Sequence, residues 1–335
     1  MHITMSTLTT NHDASLCDAR RMNCLEDASA HLVVTSPAFE HMHRALDAVW
    51  AECARVLCPG GIACINIGDA VRTMDGLFRL YSSHARIVHV FLDLGLHALP
   101  AVIWRKQTNA PNKFMGSGML PPGAYVTLEH EFILIFRKGA KREFKAADAV
   151  RRRASAFFWE ERNAWFSDVW FDLKGASQRL AHKAARARSG AFPLELPWRL
   201  IHMFSLQGDL VVDPFLGTGV TMAAAAAAGR SSAGFEIDRE LYPCIRDTIL
   251  AAPAAGREKI EARLGDHREF VRRRQAQGKD LKHMVQAYGF PCISKQESGI
   301  VFPVLDDVRE TAEGHFEAVY ERAPGGGQVS HETVK

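Results

Sequence analysis

The sequence predicts an α/β fold with a mostly parallel sheet and a segment inserted between its two halves. Short apolar runs of strand length alternate with helical patterns, and a glycine-rich turn joins one such strand to a helix. The alternation then stops for about fifty residues after Arg137, which marks the inserted segment. With 335 residues, 47% hydrophobic and 24% charged, the chain has a globular composition, which excludes disordered and collagen-like classes.

The first half of the sheet is predicted from apolar runs that surround one helix. The run His31–Thr35 ends at Ser36-Pro37, where a strand would open into a loop. Apolar residues then recur at spacings of three and four from Met42 to Val56, and Pro59-Gly-Gly61 ends this helix. Further strands are predicted at Ile62–Asn66, Ala98–Trp104 and Glu131–Arg137.

Regular α/β texture returns after the inserted segment. The elements predicted there are a helix from Pro197, the strand Asp209–Asp213, the helix Thr221–Ala228, the strand Ser231–Glu236 and the charged helix Glu258–Arg274. The end of the chain, with Gly325-Gly-Gly327, is predicted to be loose.

Cysteine usage and hydropathy exclude several classes of protein. The seven cysteines include no Cys-x-x-Cys pair, so neither a disulfide framework nor a metal site is predicted. The longest apolar run, Val220–Ala228, is about half the length that crosses a bilayer, and Met1–His12 lacks the apolar stretch of a secretory signal. We therefore expect a cytoplasmic protein without a membrane segment.

Positive charge is concentrated in the inserted segment. Residues 137–188 carry 14 Lys and Arg against 6 Asp and Glu, which indicates either contact with a polyanion or a solvated basic surface. Two clusters stand out, namely Arg151-Arg-Arg153 and a helical stripe of Arg179, Lys183 and Arg186. Seven aromatic residues between Phe157 and Phe171 could stack on a nucleic acid, but a small core is the favoured interpretation.

The most informative motif is Asp213-Pro-Phe-Leu-Gly-Thr-Gly-Val-Thr221, at the end of one strand and the start of a helix. Glycines at this point let the backbone approach a ligand at the carboxyl edge of an α/β sheet. Glu236 ends the next strand, where a carboxylate can accept hydrogen bonds from both ribose hydroxyls of a nucleoside. The motif lacks the third glycine of a dinucleotide-binding loop and the Gly-Lys-Ser/Thr of a Walker loop, so neither of those ligands is predicted.

Together with Gly234-Phe-Glu-Ile-Asp238, this segment resembles the S-adenosylmethionine-binding motifs of amino-group DNA methyltransferases. Thr35-Ser-Pro-Ala-Phe39 resembles their catalytic motif, and it precedes the cofactor motif, as in the permuted beta class. Three intermediate motifs of that family also match, namely Arg55–Gly61, Glu129–Gly139 and Ala191–Pro197, so that the resemblance covers about residues 14–250. It implies a Rossmann-like, S-adenosyl-L-methionine-dependent methyltransferase that acts on double-stranded DNA.

The resemblance also assigns residues to the cofactor and divides the chain. The cofactor-binding residues it implies are Asp18, Phe192, Pro193, Phe215, Gly217, Gly219 and Glu236, with Asp213 either a further one or structural. The predicted divisions are a catalytic half at 14–138, a target-recognition region at 139–190, a cofactor-binding half at 191–250 and a charged C-terminal extension at 251–335.

In the same family, Ser36, Pro37 and Phe39 would carry catalysis. The Ser36 hydroxyl and the Pro37 carbonyl would accept hydrogen bonds from an exocyclic amine and free its lone pair, while the Phe39 ring stacks on a base that has left the duplex. Serine at this position favours the 4-amino group of cytosine, with the 6-amino group of adenine as the alternative. We expect site-specific methylation of DNA, as in restriction-modification systems.

One departure from the family motif keeps a second hypothesis open. Ala38 stands where the family has a second proline, so a catalytically weakened DNA-binding relative is an alternative. A carbon-5 cytosine methyltransferase is a less favoured alternative, with its nucleophile in Pro243-Cys244 or Pro291-Cys292. Pro243-Cys244 follows Glu236 too closely, Pro291-Cys292 is better spaced but has too little chain after it for a recognition domain, and Ser36-Pro37 would have no role. The recognition sequence, a companion restriction endonuclease and the oligomeric state are left open.

Overall fold

The fold was derived from a computed structural model, which describes residues 8–37, 43–106, 115–175 and 193–321. The described strands are β1 (Thr9–Ser15), β2 (Ala30–Thr35), β3 (Leu57–Ile67), β4 (Ala70–Met74), β5 (Leu77–Tyr81), β6 (Leu96–Arg105), β7 (Met115–Gly116), β8 (Ala124–Tyr125), β9 (His130–Lys138), β10 (Val169–Trp170), β11 (Leu210–Asp213), β12 (Ser231–Phe235), β13 (His283–Val285), β14 (Phe290–Cys292), β15 (Leu305–Ala312) and β16 (His315–Tyr320). The described helices are α1 (His43–Val56), α2 (Ser83–Asp93), α3 (Ala149–Ala154), α4 (Trp159–Trp165), α5 (Glu195–Phe204), α6 (Val220–Ala227), α7 (Tyr242–Leu250) and α8 (Ala252–Ala276). No helix within these ranges is both long and apolar enough to span a membrane.

Ten of the described strands form one sheet in the order β10-β6-β9-β3-β2-β11-β12-β1-β16-β15. Only β9 and β16 run against the common direction, because each pairs antiparallel with both of its neighbours. Three further pairs, β4–β5, β7–β8 and β13–β14, form separate hairpins. The prediction of a mostly parallel α/β sheet is therefore confirmed.

Both faces of the sheet are covered, which explains why its central strands are continuous apolar runs. In β2, Val33 belongs to a core that contains Trp50 of α1, whereas Leu32 and Val34 belong to a second core that contains Trp198 of α5. Successive side chains of a strand point to opposite faces, so these two cores lie on opposite sides of the sheet. The helices that follow the strands supply the outer layers.

Eight of the ten strands run in the same direction and therefore end at one edge of the sheet. We call this the carboxyl edge, and β1, β2, β3, β6, β11 and β12 are among the strands that end there. Ser36 and Glu236, which directly follow β2 and β12, are therefore brought to the same edge. Ligands of open α/β sheets bind at this edge.

Strand β1 was not predicted, because its sequence is polar. Its buried side chains are paired with distant parts of the chain: the imidazole Nδ1 of His12 lies 2.8 Å from the Ser232 hydroxyl, and the Thr10 hydroxyl lies 2.8 Å from that of Tyr320. Burial lowers the pKa of His12 to about 3, so the ring is neutral. A polar strand is stable in this core because its hydrogen-bonding groups are satisfied.

The predicted target-recognition region and C-terminal extension pack against each other in their described parts. Phe158, directly before α4, stacks on His267 of α8 with ring centroids 3.8 Å apart, and Arg263 of α8 donates to Glu161 of α4 over 2.7 Å. Phe158 thus contributes to a core shared with the C-terminal extension, and Trp170 joins the core of the main sheet, whereas Trp159, Phe166 and Phe171 are exposed. Within residues 251–321, β15 and β16 also extend that sheet. The domain boundaries themselves stay a prediction, and Gly325–Gly327 lie outside the described residues.

Candidate cofactor and catalytic site

The loop between β11 and α6 is shaped by two glycines with left-handed backbone. Gly217 has φ +56° and Gly219 has φ +84°, a region that residues with a Cβ rarely adopt. A Cβ built on Gly219 would lie 3.2 Å from the Cα of Ile245, so this glycine also permits close packing against α7. A Cβ built on Gly217 would have the Phe215 carbonyl, 3.9 Å away, as its nearest neighbour, so the space beside the Gly217 Cα is open.

Glu236 is held beside this loop by backbone donors. Its Oε2 accepts from the Gly217 N–H over 2.8 Å and its Oε1 from the Asp238 N–H over 2.9 Å. The side chain is half-buried, and burial raises the pKa of its carboxyl group while the backbone donors oppose that rise. Each carboxylate oxygen has two lone pairs, so each can still accept a hydrogen bond from a ligand.

A cavity of about 790 Å³ lies at the end of β1, the strand that pairs with β12. Its lining includes Ser15, whose carbonyl accepts the Glu236 N–H over 3.0 Å, as well as Cys17, Asp18, Cys24 and Ala48. Its volume falls within the range of about 300–1,000 Å³ typical of small-molecule sites. The cavity, the open side of Gly217 and the available acceptors of Glu236 together fit a nucleoside-containing ligand.

Asp18 lies in the cavity wall and is paired locally. It accepts hydrogen bonds from the Arg20 N–H over 2.9 Å and the Arg20 Nε over 2.7 Å, and the Arg20 side chain holds the pKa of Asp18 below its ordinary value. The carboxylate is therefore ionised. The contact of Asp18 with the cofactor, which the family resemblance implies, stays a prediction.

Asp213 connects the ends of two strands. The Thr35 hydroxyl donates to its Oδ1 over 2.6 Å and the Phe215 N–H donates to the same atom over 3.0 Å. Burial raises the pKa of Asp213 to about 6, although these donors lower it. Asp213 thus ties β2, which carries the Ser36 motif, to β11, which carries the glycine loop, and these contacts favour the structural role.

Ser36 is joined to three residues that sequence analysis did not select. Asn66, at the end of β3, donates from its Nδ2 to the Ser36 hydroxyl over 3.2 Å and to Glu131 over 2.7 Å. Lys106 donates to the other oxygen of Glu131 over 2.7 Å. Asn66 is 2% exposed, and its Oδ1 is buried with no hydrogen-bond partner in the described part of the chain. An asparagine inside the apolar run Ile62–Ile67 was the signal available in the sequence.

The remaining predicted residues are only partly described. Phe39, Phe192, Arg179, Lys183 and Arg186 lie outside the described residues, as does Ala38. Pro37 is buried, and Pro193 is half-buried two residues before the start of α5.

Phe215 packs on Trp50 with ring centroids 5.7 Å apart, so its ring belongs in part to the core. In the basic cluster of α3, Arg151 lies 3.6 Å from the buried Asp209 and Arg152 stacks over Phe144, while Arg153 is exposed. The geometry gives Arg151 a structural ion pair, and the predicted DNA contacts of all three arginines stay a prediction.

A known family covers the part of the chain that contains these motifs. A family model for N6/N4-type DNA methylases matches residues 35–247, a range that includes Ser36, Asn66, the glycine loop and Glu236. The chain belongs to this DNA methylase family. A more general methyltransferase-domain model matches residues 4–65 of the same methylase. The resemblance to amino-group DNA methyltransferases is therefore confirmed.

Two Type II methyltransferases are similar to this methylase over most of its length. The Type II methyltransferase M.MthZI of Methanothermobacter thermautotrophicus is 44% identical over 93% of this chain and 96% of its own length. M.MjaI of Methanocaldococcus jannaschii, also a Type II methyltransferase, is 45% identical over 72% of this chain and 92% of its own length.

Solved structures share the fold. A candidate DNA modification methylase of Thermus thermophilus, crystallised with S-adenosyl-L-methionine, superposes with a TM-score of 0.59 at 31% identity, over 72% of this methylase and 95% of that chain. The cytosine-N4-specific PvuII DNA methyltransferase has the same fold at 18% identity, with a TM-score of 0.53 over 72% and 88% of the two chains.

Proposed function

We propose that this methylase transfers a methyl group from S-adenosyl-L-methionine to the 4-amino group of cytosine at specific sites in double-stranded DNA. The observation that carries the proposal is the placement of Ser36, the glycine loop and Glu236 at one edge of the sheet, where Asp213 ties the Ser36 strand to the glycine loop and Glu236 accepts from Gly217. The transfer requires one site that holds the methyl donor and a neighbouring site that holds the target amine. We further propose that the protein acts as a Type II modification enzyme in the cytoplasm.

The residues of the glycine loop would hold the methyl donor. Glu236 would accept from both ribose hydroxyls, and Gly217 and Gly219 would let the backbone approach the ribose and methionine. Ile237 is 72% exposed directly after Glu236, where its apolar side chain offers a surface for the adenine ring. When bound, S-adenosyl-L-methionine supplies an electrophilic methyl group on a sulfonium.

The residues at the end of β2 would prepare the amine. The Ser36 hydroxyl and the Pro37 carbonyl accept hydrogen bonds from the two amino hydrogens, which shifts the nitrogen toward tetrahedral geometry and frees its lone pair. No covalent bond to the protein is needed. We propose that the Phe39 ring stacks on the flipped base, because a new stacking contact offsets part of the cost of removing the base from the duplex.

The 6-amino group of adenine is the second candidate, because Ser36 and the Pro37 carbonyl could serve either amine. The identity of the methylated nucleoside separates the two candidates. DNA methylated by the full chain is digested to nucleosides, which are identified by mass spectrometry. We expect N4-methylcytosine; finding only N6-methyladenine would overturn the base assignment, and 5-methylcytosine would overturn the mechanism as well.

Ser36→Ala tests the role of the hydroxyl. Loss of one acceptor that acts mainly in the transition state should reduce turnover by about 10²-fold, while cofactor affinity is unchanged. Ala38→Pro restores the family motif and should leave activity equal or higher. Absence of turnover in the wild-type chain together with restored turnover in Ala38→Pro would instead support the weakened DNA-binding relative.

The proposed DNA contacts lie in the basic segment. Replacing Arg179, Lys183 and Arg186 with Gln should lower affinity for all duplexes alike and reduce the slope of log affinity against log salt by about 0.9 for each phosphate that is no longer neutralised. An unaltered slope would assign these residues to a solvated surface. Arg152 and Arg153 are the corresponding targets in the described part of the segment, since Arg151 is paired with Asp209.

A further inference from the structure

Two hairpins extend from the carboxyl edge next to Ser36. The β4–β5 hairpin follows directly after β3, and the β7–β8 hairpin lies in the connection from β6 to β9. The end of β3 pairs with the start of β9 at Ile67 and Phe132, and the end of β6 pairs there at Arg105 and His130. Both hairpins therefore emerge where the target amine has to reach Ser36.

An aromatic contact joins the two hairpins into one surface. The ring of Phe78 in β5 stacks on that of Tyr125 in β8, with centroids 4.2 Å apart and an interplanar angle of 3°. We call the described residues 70–81 and 115–126 the paired-hairpin surface. Because each hairpin has only two strands, this stacking is a source of stability that neither would have alone.

The paired-hairpin surface exposes large apolar side chains. Seven of the sixteen large apolar residues exposed in the described ranges belong to it: Met74, Leu77, Leu80, Met119, Leu120, Tyr125 and Val126. Met119, Leu120 and Val126 are 80%, 70% and 87% exposed. A concentration of exposed apolar groups on one surface indicates an interaction site rather than a solvated loop.

The position and charge of this surface identify its partner as the DNA duplex. Its described charged residues are Arg72, Asp75 and Arg79, so it is weakly basic, and Arg79 is exposed without an ion pair to another described residue. A second copy of the chain seated here would cover the carboxyl edge and close the route of a base to Ser36. DNA must approach that same edge for methylation.

We propose that the paired-hairpin surface contacts double-stranded DNA beside the target base, with the apolar tips against bases in the groove and Arg79 against a phosphate. This inference rests on the proposed function, in which the target base leaves the duplex. Apolar side chains that enter the stack take the place of the departed base beside its neighbours, which favours the extrahelical base. Arg79 supplies a sequence-independent phosphate contact.

The test compares a triple variant, Leu77→Ser with Met119→Ser and Leu120→Ser, with the matched control Leu92→Ser. Leu92 is 47% exposed and Leu77 is 53% exposed, but Leu92 lies near the end of α2, which leads into the start of β6 at the opposite edge of the sheet. All four side chains are exposed, so the variants should fold. Affinity for a short fluorescein-labelled duplex is measured by anisotropy, S-adenosyl-L-methionine affinity by calorimetry, and oligomeric state by sedimentation.

We expect the triple variant to bind the duplex about tenfold more weakly, from the apolar area it no longer buries, with unchanged cofactor affinity and oligomeric state. Leu92→Ser should match the wild type in all three measurements. Arg79→Gln should weaken binding to all duplexes and lower the salt slope by about 0.9.

Unchanged duplex affinity in the triple variant would overturn the inference, and a changed oligomeric state in that case would assign the surface to a protein partner. The proposed function fails separately. If the wild type methylates no DNA but its duplex binding depends on these side chains, the proposed activity is wrong and the DNA-contact surface stands. If methylation proceeds and duplex affinity is insensitive to them, only the inference is wrong.

Discussion

Replacing Asn66 with alanine tests whether the buried amide positions the catalytic hydroxyl. The amide nitrogen of Asn66 lies 3.2 Å from the Ser36 hydroxyl and 2.7 Å from a carboxylate oxygen of Glu131. Glu131 is paired with Lys106 over 2.7 Å. A carboxylate paired with a lysine only accepts hydrogen bonds, so Asn66 must direct its NH₂ group, and not its Oδ1, toward Glu131 and Ser36. Ser36 is thereby oriented from β3, while its remaining lone pair is available to a target amine.

The magnitude follows from the type of bond that is removed. A neutral hydrogen bond contributes about 0.5–1.5 kcal/mol, so Asn66→Ala should reduce the rate of methyl transfer by about 2- to 12-fold. That is well below the effect of about 10²-fold expected from removing the Ser36 hydroxyl itself. The variant loses the bond to Glu131 but also loses the unpartnered Oδ1, whose burial costs about 1–3 kcal/mol, so the change in folding stability should be small.

Single-turnover methyl transfer gives the rate, and separate titrations give the affinities for duplex and cofactor. We expect the rate to fall with both affinities unchanged, and Asn66→Ala to have little further effect in a Ser36→Ala background. Asn11→Ala, an exposed site on β1, is the control. Equal rate losses in both backgrounds would show that Asn66 does not act through Ser36 and would refute the reasoning.

Three further predictions concern the cofactor, an internal ion pair and a buried histidine. Glu236→Ala should weaken S-adenosyl-L-methionine binding by about 10²-fold in calorimetry without unfolding the chain, since it removes two charge-assisted acceptors; unchanged affinity would refute the ribose assignment. Asp209→Ala leaves Arg142, now bonded to it over 2.6 Å, without its partner, so the free energy of unfolding in denaturant should fall by about 3–5 kcal/mol. The control Asp307→Ala, at a side chain that is 48% exposed, should change that free energy little. Burial lowers the pKa of His12 to about 3 from an ordinary value of 6.5, so below about pH 6.5 the unfolded chain binds a proton that the folded chain does not. The free energy of unfolding should therefore fall as the pH drops from about 6.5 toward 3, by up to about 1.4 kcal/mol per pH unit. His12→Gln should flatten that dependence, and an identical pH profile in the variant would contradict the assignment to His12.

The central strands and the glycine loop were predictable because their signals are local. β2 and β11 are buried on both faces, so they are continuous apolar runs, and Gly217 and Gly219 are required by a left-handed turn within the loop itself. The position of Glu236 followed from the next strand. In each case the residues that determine the structure are neighbours in the chain.

The polar elements of the core could not be recognised in the same way. Thr10 and His12 make β1 look like a solvated segment until Ser232 and Tyr320 supply their hydrogen bonds. The place of the C-terminal hairpin β15–β16 in the main sheet could not be recognised either, because β16 joins the sheet by pairing with β1.

The environment of Ser36 was decided by tertiary structure alone. The sequence by itself determined that a strand would end at Ser36-Pro37 and that a nucleoside-binding loop would follow far downstream. Asn66, Lys106 and Glu131 belong to three different strands or their ends, and they meet at Ser36 because β2, β3, β9 and β6 are consecutive in the sheet. Hydrogen bonds act over about 3 Å and carry no periodic signal along the chain, so only the pairing of strands could bring these groups together.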